Sequence, residues 1–146
     1  MEKILTIIIF LLFTTSIIAQ TWEDREWEFL VETIAKVESG GNPKAISPGG
    51  AYVGYLQISV EMVQECNRIV GYKKYTLKDR LNKEKSIEMF LEFQKHHNKE
   101  ANIEKAIRLW NSGDIRCMEP KRKLKTENYY RKVIGYLESY SLVVES

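Results

Sequence analysis

Glu38-Ser39-Gly40-Gly41-Asn42-Pro43-Lys44-Ala45-Ile46-Ser47 lies where one kind of structure stops and another begins. Upstream, Trp27, Leu30, Val31, Ile34 and Glu38 recur at i, i+3, i+4, i+7 and i+11. That is one face of a helix, expected over about 22–39. Gly40-Gly41 ends the helix and Pro43 keeps it from resuming. The face is apolar until its last member, a carboxylate. Glu23, Glu28, Glu32 and Lys36 take the wet side instead. An acid on the dry side has two readings. It is a structural carboxylate paired with a buried base or amine, or it is a general acid. In the second case desolvation raises its pKa, so it stays protonated near neutral pH and can donate to a leaving oxygen.

Further along, residues 44–58 mix Gly49, Gly50 and Gly54 with Tyr52, Val53, Tyr55 and Ile58, the pattern of a loop or small irregular hairpin. Helices follow. Ser59 caps Val60–Val70 and Gly71 stops it; Asn82 caps Lys83–His97, with Ile87, Phe90, Leu91 and Phe93 facing inward. Asn102 caps Ile103–Trp110, closed by Asn111-Ser112-Gly113. Residues 72–81 and 114–125 read as loops, and Thr126 opens the last helix. The fold class is α+β and mostly α: about five helices with a little irregular β near residues 51–58.

The chain has 146 residues, 44% of them hydrophobic, and a formal charge of +2 from 22 basic and 20 acidic groups. Disorder is excluded by the apolar content. A non-specific grip on nucleic acid is excluded by the weak charge. Lys3, the apolar run from Ile4 to Phe13 and Ala19 are the parts of an export signal, expected over residues 1–19 with a cut near Ala19. An uncleaved anchor is the competing reading. Residues 20–146 then form a single domain working outside the cytoplasm, in the periplasm or beyond. Cys66 and Cys117 are either a disulfide or two buried thiols. No CxxC or HxxxH spacing suggests a metal.

The quoted stretch resembles the Glu-Ser-x-x-Asn-Pro-x-Ala-x-Ser signature of soluble lytic transglycosylases with the lysozyme-like fold. Gly54-Tyr55-Leu56-Gln57-Ile58 resembles that family's Gly-Leu-Met-Gln-Leu. Ala106-Ile107-Arg108-Leu109-Trp110-Asn111-Ser112-Gly113 resembles Ala-x-x-x-Tyr-Asn-Ala-Gly, and Thr126 to Val133 resembles Glu-Thr-x-x-Tyr-Val-x-x-Val. Four motifs fall in family order. There are departures. Ala51-Tyr52-Val53-Gly54 is one residue longer than the usual Ala-x-Gly. Val60, Trp110 and Lys125 stand where the family has proline, tyrosine and glutamate.

The resemblance implies that Glu38 protonates the bond between N-acetylmuramic acid and N-acetylglucosamine in peptidoglycan. It then takes the proton of the C6 hydroxyl, giving a 1,6-anhydro product with one protein carboxyl. Ser47 would hold the acetamido group or C6 hydroxyl, or else is a turn residue before Pro48. Gln57 would line the groove, or is a solvated strand residue. Tyr129 would hydrogen-bond near the acid, or packs a helix. Asn111 shapes the turn, with sugar contact second. Tyr52, Tyr55 and Trp110 could stack on sugar faces, with Trp110 better placed in the core.

Glu61, Glu65 and Asp114, the acids nearest the motifs, read as solvated charges. A muramidase on the same fold would need one of them, or another acid, to activate water. A non-catalytic peptidoglycan-binding or assembly protein is the third reading. The basic run at 121–125 is a solvated face or meets anionic wall polymer. No cofactor and no metal are implied. The expected partner is the glycan strand of peptidoglycan, with no nucleic acid, and a membrane only through an uncleaved signal. The chain is expected to be a monomer that could draw on cell-envelope machinery for targeting.

Overall fold

The structure is a computed structural model that describes residues 26–144. The segment 1–19, its cut at Ala19 and the first residues of the expected first helix lie outside the described residues. The chain divides after Leu30. Of Met1–Leu30, the described part is 26–30, the opening of helix α1 (26–39). Val31–Ser146 carries the rest: α2 (Val60–Val70), a 3₁₀ turn (Leu77–Leu81), α3 (Lys83–His97), α4 (Ile103–Ser112) and α5 (Pro120–Val144). Five α-helices among the described residues, with almost no strand, make the mostly α, lysozyme-like fold that the motifs implied. None of them is long and apolar enough to cross a membrane.

The helix starts obey local chemistry. Side chains of Ser59, Asn82 and Asn102 accept the backbone N–H of Met62, Lys85 and Lys105 at 3.2, 2.8 and 2.8 Å. Each satisfies a donor the helix itself leaves open. α2 packs on α3, and α4 on α5. Ile34, Leu56, Phe90, Ile107 and Val133 are fully buried. In place of a hairpin there are two isolated antiparallel bridges, Ile46 to Val53 and Val53 to Ile58.

Several features differ from the sequence expectation, among them the end of α4, at Ser112 rather than Trp110. α5 starts at Pro120 rather than Thr126, because proline costs nothing in a first helical turn, where its missing N–H has no partner to lose. Residues 77–81 form a 3₁₀ turn, nucleated by a box in which Asp79 accepts the Thr76 N–H at 2.6 Å. On α3 the inner face is Ser86, Met89, Phe90, Phe93 and Gln94, while Leu91 is 42% exposed. Two polar residues hold that face because their groups are paired: Ser86 Oγ donates to Asn82 O at 2.9 Å and Gln94 Nε2 to Ala106 O at 3.2 Å. Cys66 and Cys117 are both buried and unbonded, so the thiol reading holds. Burial pushes the Cys66 thiol up to about 12.

Glycine is indispensable at one place. The carbonyl of Arg80, in the 3₁₀ turn, rests directly on Gly54, where a Cβ would lie 1.6 Å from that oxygen. On its other side Gly54 donates its N–H to Ala45 O at 2.7 Å. The 45–58 segment and the 3₁₀ turn are thereby stacked against each other.

Candidate active site

α1 ends at Gly40, whose φ of 66° lets the next N–H, that of Gly41, turn back to Ala35 O at 3.1 Å. Glu38 occupies the last turn, half-buried. Its Oε1 accepts the Tyr129 hydroxyl at 2.6 Å. Removal from water raises the Glu38 pKa above the usual carboxyl value. The Tyr129 bond and the Lys132 charge pull it back only partly. Next to it, the Ser39 hydroxyl faces Ala35 O at 3.2 Å and Tyr55 O at 2.7 Å, fastening the glycine-rich segment to the helix that bears the acid.

A cavity of about 520 Å³ opens beside Glu38. One wall is Tyr52, Gln57, Ile58 and Ser59; α2 adds Glu61, Met62 and Glu65; α3 adds Phe93; and Trp110 to Ser112 of α4, with Gly113 just beyond it, close it. Gln57 adopts a left-handed φ of 49°, uncommon for a residue with a side chain. Its amide Nε2 lies 2.9 Å from Gly54 O and 3.4 Å from Ala45 O. Those carbonyls fix the amide's orientation and leave its oxygen as an acceptor. Tyr52 stands 53% exposed at the rim. Trp110 is 8% exposed and packs edge-on to Phe90 at 4.9 Å, so it is a core residue that also shows to the cavity.

Of the site residues expected from sequence, Glu38, Gln57 and Asn111 meet at this cavity, and Tyr129 joins through Glu38. Asn111 does not close the turn as expected. Gly113 N donates to Leu109 O at 2.8 Å and Ser112 Oγ accepts Asp114 N–H at 3.2 Å, and they do that work. Ser47 is not among the cavity residues. Its hydroxyl accepts the Tyr52 N–H at 3.0 Å and its own N–H donates to Tyr52 O at 2.9 Å, a turn-closing pair.

Tyr55 corrects the sequence reading most clearly. It is 3% exposed, and its hydroxyl donates to Glu32 on the opposite side of α1. Lys83 Nζ lies 4.8 Å from the ring centroid and 2.9 Å from Glu32 Oε1. Burial and the Glu32 carboxylate push the phenol up to about 12. The ring cannot stack on a sugar. Tyr55→Phe is therefore expected to lower stability by about 1 kcal/mol, the worth of one hydrogen bond, and to leave turnover at the cavity unchanged. A melting curve and a turnover assay on the same sample check both halves.

Two acids read as solvated charges prove to line the cavity. Glu65 is held down to about 2 by a fork from Arg68, at 2.6 and 2.7 Å, and by His97 at 2.9 Å. Glu61 is lowered by its own backbone N–H and by Ser59. Their place at the start of α2, next to the glycine motif, is the signal that could have found them. Among the described residues no cluster of His, Cys, Asp and Glu is arranged to hold a metal.

A mostly helical body, a short bridged segment and a half-buried carboxyl at a cavity agree with the lysozyme-like fold that the motifs implied. The model of the transglycosylase SLT domain family matches residues 15–133, and the chain belongs to that family. Its function is thus of the transglycosylase type and directed at peptidoglycan. No curated protein and no solved structure matches the chain.

Proposed function

We propose that the chain is a peptidoglycan lytic transglycosylase in which Glu38 acts first as acid and then as base. The observation that carries this is the Glu38 carboxyl: half-buried at the cavity, with its pKa raised and one oxygen held by Tyr129. A protonated Glu38 can give its proton to the glycosidic oxygen between N-acetylmuramic acid and N-acetylglucosamine. The substrate's acetamido oxygen attacks the anomeric carbon as that bond breaks. The carboxylate left behind takes the C6 hydroxyl proton while the C6 oxygen attacks the anomeric carbon, displaces the acetamido oxygen and closes the 1,6-anhydro ring. The proton count returns to its start and no water is consumed. Gln57, Asn111 and Tyr52, which line the cavity, would meet the sugars, and Tyr129, bonded to Glu38, would orient the acid. We place this work outside the cytoplasm, where peptidoglycan lies, with residues 1–19 as the export signal and residues 20–146 as the working module.

A muramidase is the second reading, because Glu61 and Glu65 share the cavity. A hydrolase would use one of them to activate water. Glu65 suits that poorly: both its oxygens are engaged by Arg68 and His97, and a carboxylate with a pKa of about 2 is a weak base. Glu61 is fully solvated and held below the ordinary carboxyl pKa. Digestion of purified peptidoglycan followed by product mass distinguishes the readings. Muropeptides lighter by one water are expected; full-mass reducing ends would establish the muramidase.

A further inference from the structure

Arg108 is an ion in the interior. It sits on α4 with 3% of its surface exposed, away from the cavity. Nε donates to Glu104 Oε1 at 2.8 Å, within its own helix. Every other bond crosses to α5. Nη1 donates to the Lys123 carbonyl and to Thr126 Oγ1, both at 2.9 Å, and Nη2 to Glu127 Oε2 at 2.7 Å. The guanidinium carbon stands 4.2 Å from the Tyr130 ring centroid.

Lys123, Thr126, Glu127 and Tyr130 recur at i, i+3, i+4 and i+7, one face of the opening turns of α5. Tyr129 lies inside that run, and its hydroxyl must land on Glu38, 91 residues away in sequence. A slip of one residue in α5 would swing the phenol by about 100° around the axis. We propose that Arg108 is a positioning residue: its clamp on α5 sets the register that brings the Tyr129 hydroxyl to Glu38.

The chemistry suits the task. Only arginine offers several donors in a rigid plane, so it can hold a carbonyl, a hydroxyl and a carboxylate at fixed angles while its face meets a ring. Glu104 and Glu127 pair with it and also with Lys123 at 2.8 Å and Arg131 at 2.8 Å. Arg108→Lys keeps the charge, so a change that it makes at Glu38 comes through α5 and not through a field. The ionisable groups around Glu38 are Tyr129 and Lys132 from α5, and Glu61 and Glu65 across the cavity from α2; α4 contributes the neutral Trp110 and Asn111.

The inference rests on Glu38 as the acid, yet its test does not need catalysis. The Glu38 carboxyl is titrated by carbon NMR in the full chain, in the wild type, Arg108→Lys, Tyr129→Phe and the double variant. Tyr129→Phe removes a bond that favours the carboxylate, so the Glu38 pKa rises. Arg108→Lys is expected to raise it in the same direction, and the double variant no further than Tyr129→Phe alone. Turnover should fall roughly 10- to 100-fold in Arg108→Lys with KM little changed, as for a misplaced catalytic group.

An unmoved Glu38 titration in Arg108→Lys, or shifts that simply add in the double variant, would overturn the proposal. Should Arg108→Lys melt too early, Glu127→Gln serves. Loosening the clamp raises the Glu38 pKa, whereas mere loss of a distant negative charge lowers it, and a lowered value sinks the idea. A wild type that cleaves no peptidoglycan would instead sink the assigned function and leave the titration standing.

Discussion

Gly54→Ala is expected to yield no folded protein. The added Cβ would lie 1.6 Å from the Arg80 carbonyl oxygen and 2.7 Å from its carbon, far inside van der Waals contact. The obstacle is backbone, so no side chain can rotate away. Neither partner can retreat cheaply. Gly54 N–H is tied to Ala45 O at 2.7 Å, while Arg80 O accepts Ser86 Oγ at 3.2 Å. The φ of 85° adds about 1–2 kcal/mol for any residue with a side chain. A clash that forces two anchored segments apart approaches the 5–15 kcal/mol that holds a typical domain together. Gly113→Ala is the control. It shares a positive φ of 63° and has nothing within 4 Å of the new methyl, so it should cost only the conformational penalty. Circular dichroism should show Gly54→Ala unfolded at room temperature and Gly113→Ala melting a few degrees low. A Gly54→Ala protein that melts near the wild type would refute this account of the wall beside the cavity.

Glu38→Gln is expected to reduce turnover by about a thousandfold or more, the scale at which general acid catalysis contributes, while the fold is kept. Glutamine preserves the shape and an oxygen that can accept the Tyr129 hydroxyl. The stability effect has a definite sign. A carboxyl whose pKa is raised in the folded state supports folding below its unfolded pKa, and that support is lost as pH rises through the folded value. Above the folded-state pKa the wild type carries a partly desolvated charge that glutamine does not. Glu38→Gln should melt no lower than wild type above that pKa and lose the advantage below it. Activity runs the same way: the acid must be protonated, so the rate falls as pH rises through the Glu38 pKa. Undiminished clearing of peptidoglycan by the variant would remove Glu38 from the mechanism.

Glu38 was legible because an acid that completes an apolar stripe contradicts the pattern around it. The caps at Ser59, Asn82 and Asn102 were legible because each depends on a side chain and an amide three residues on. Tyr129 was reached through the motif resemblance. Tyr55 was misread because, in a segment with only isolated bridges, alternation no longer tells which side faces the core. On α3 the apolar Leu91 drew the reading away from Ser86 and Gln94, whose burial depends on partners that a local pattern does not display. Arg108 was beyond the sequence for the same reason: its partners on α5 lie 15 to 19 positions away.

The bond between Tyr129 and Glu38 joins positions 91 apart, and that separation sets an order of events. A chain made from its N-terminus displays the acid long before its partner exists. Contacts of such high order are slow to form, because closing the long loop between them costs entropy first. Until α5 docks, Glu38 lacks both the burial that raises its pKa and the phenol that aims it. On the function proposed above, completion of the fold is thus what arms Glu38, and a chain released early, or caught unfolded, would carry the acid without its partner.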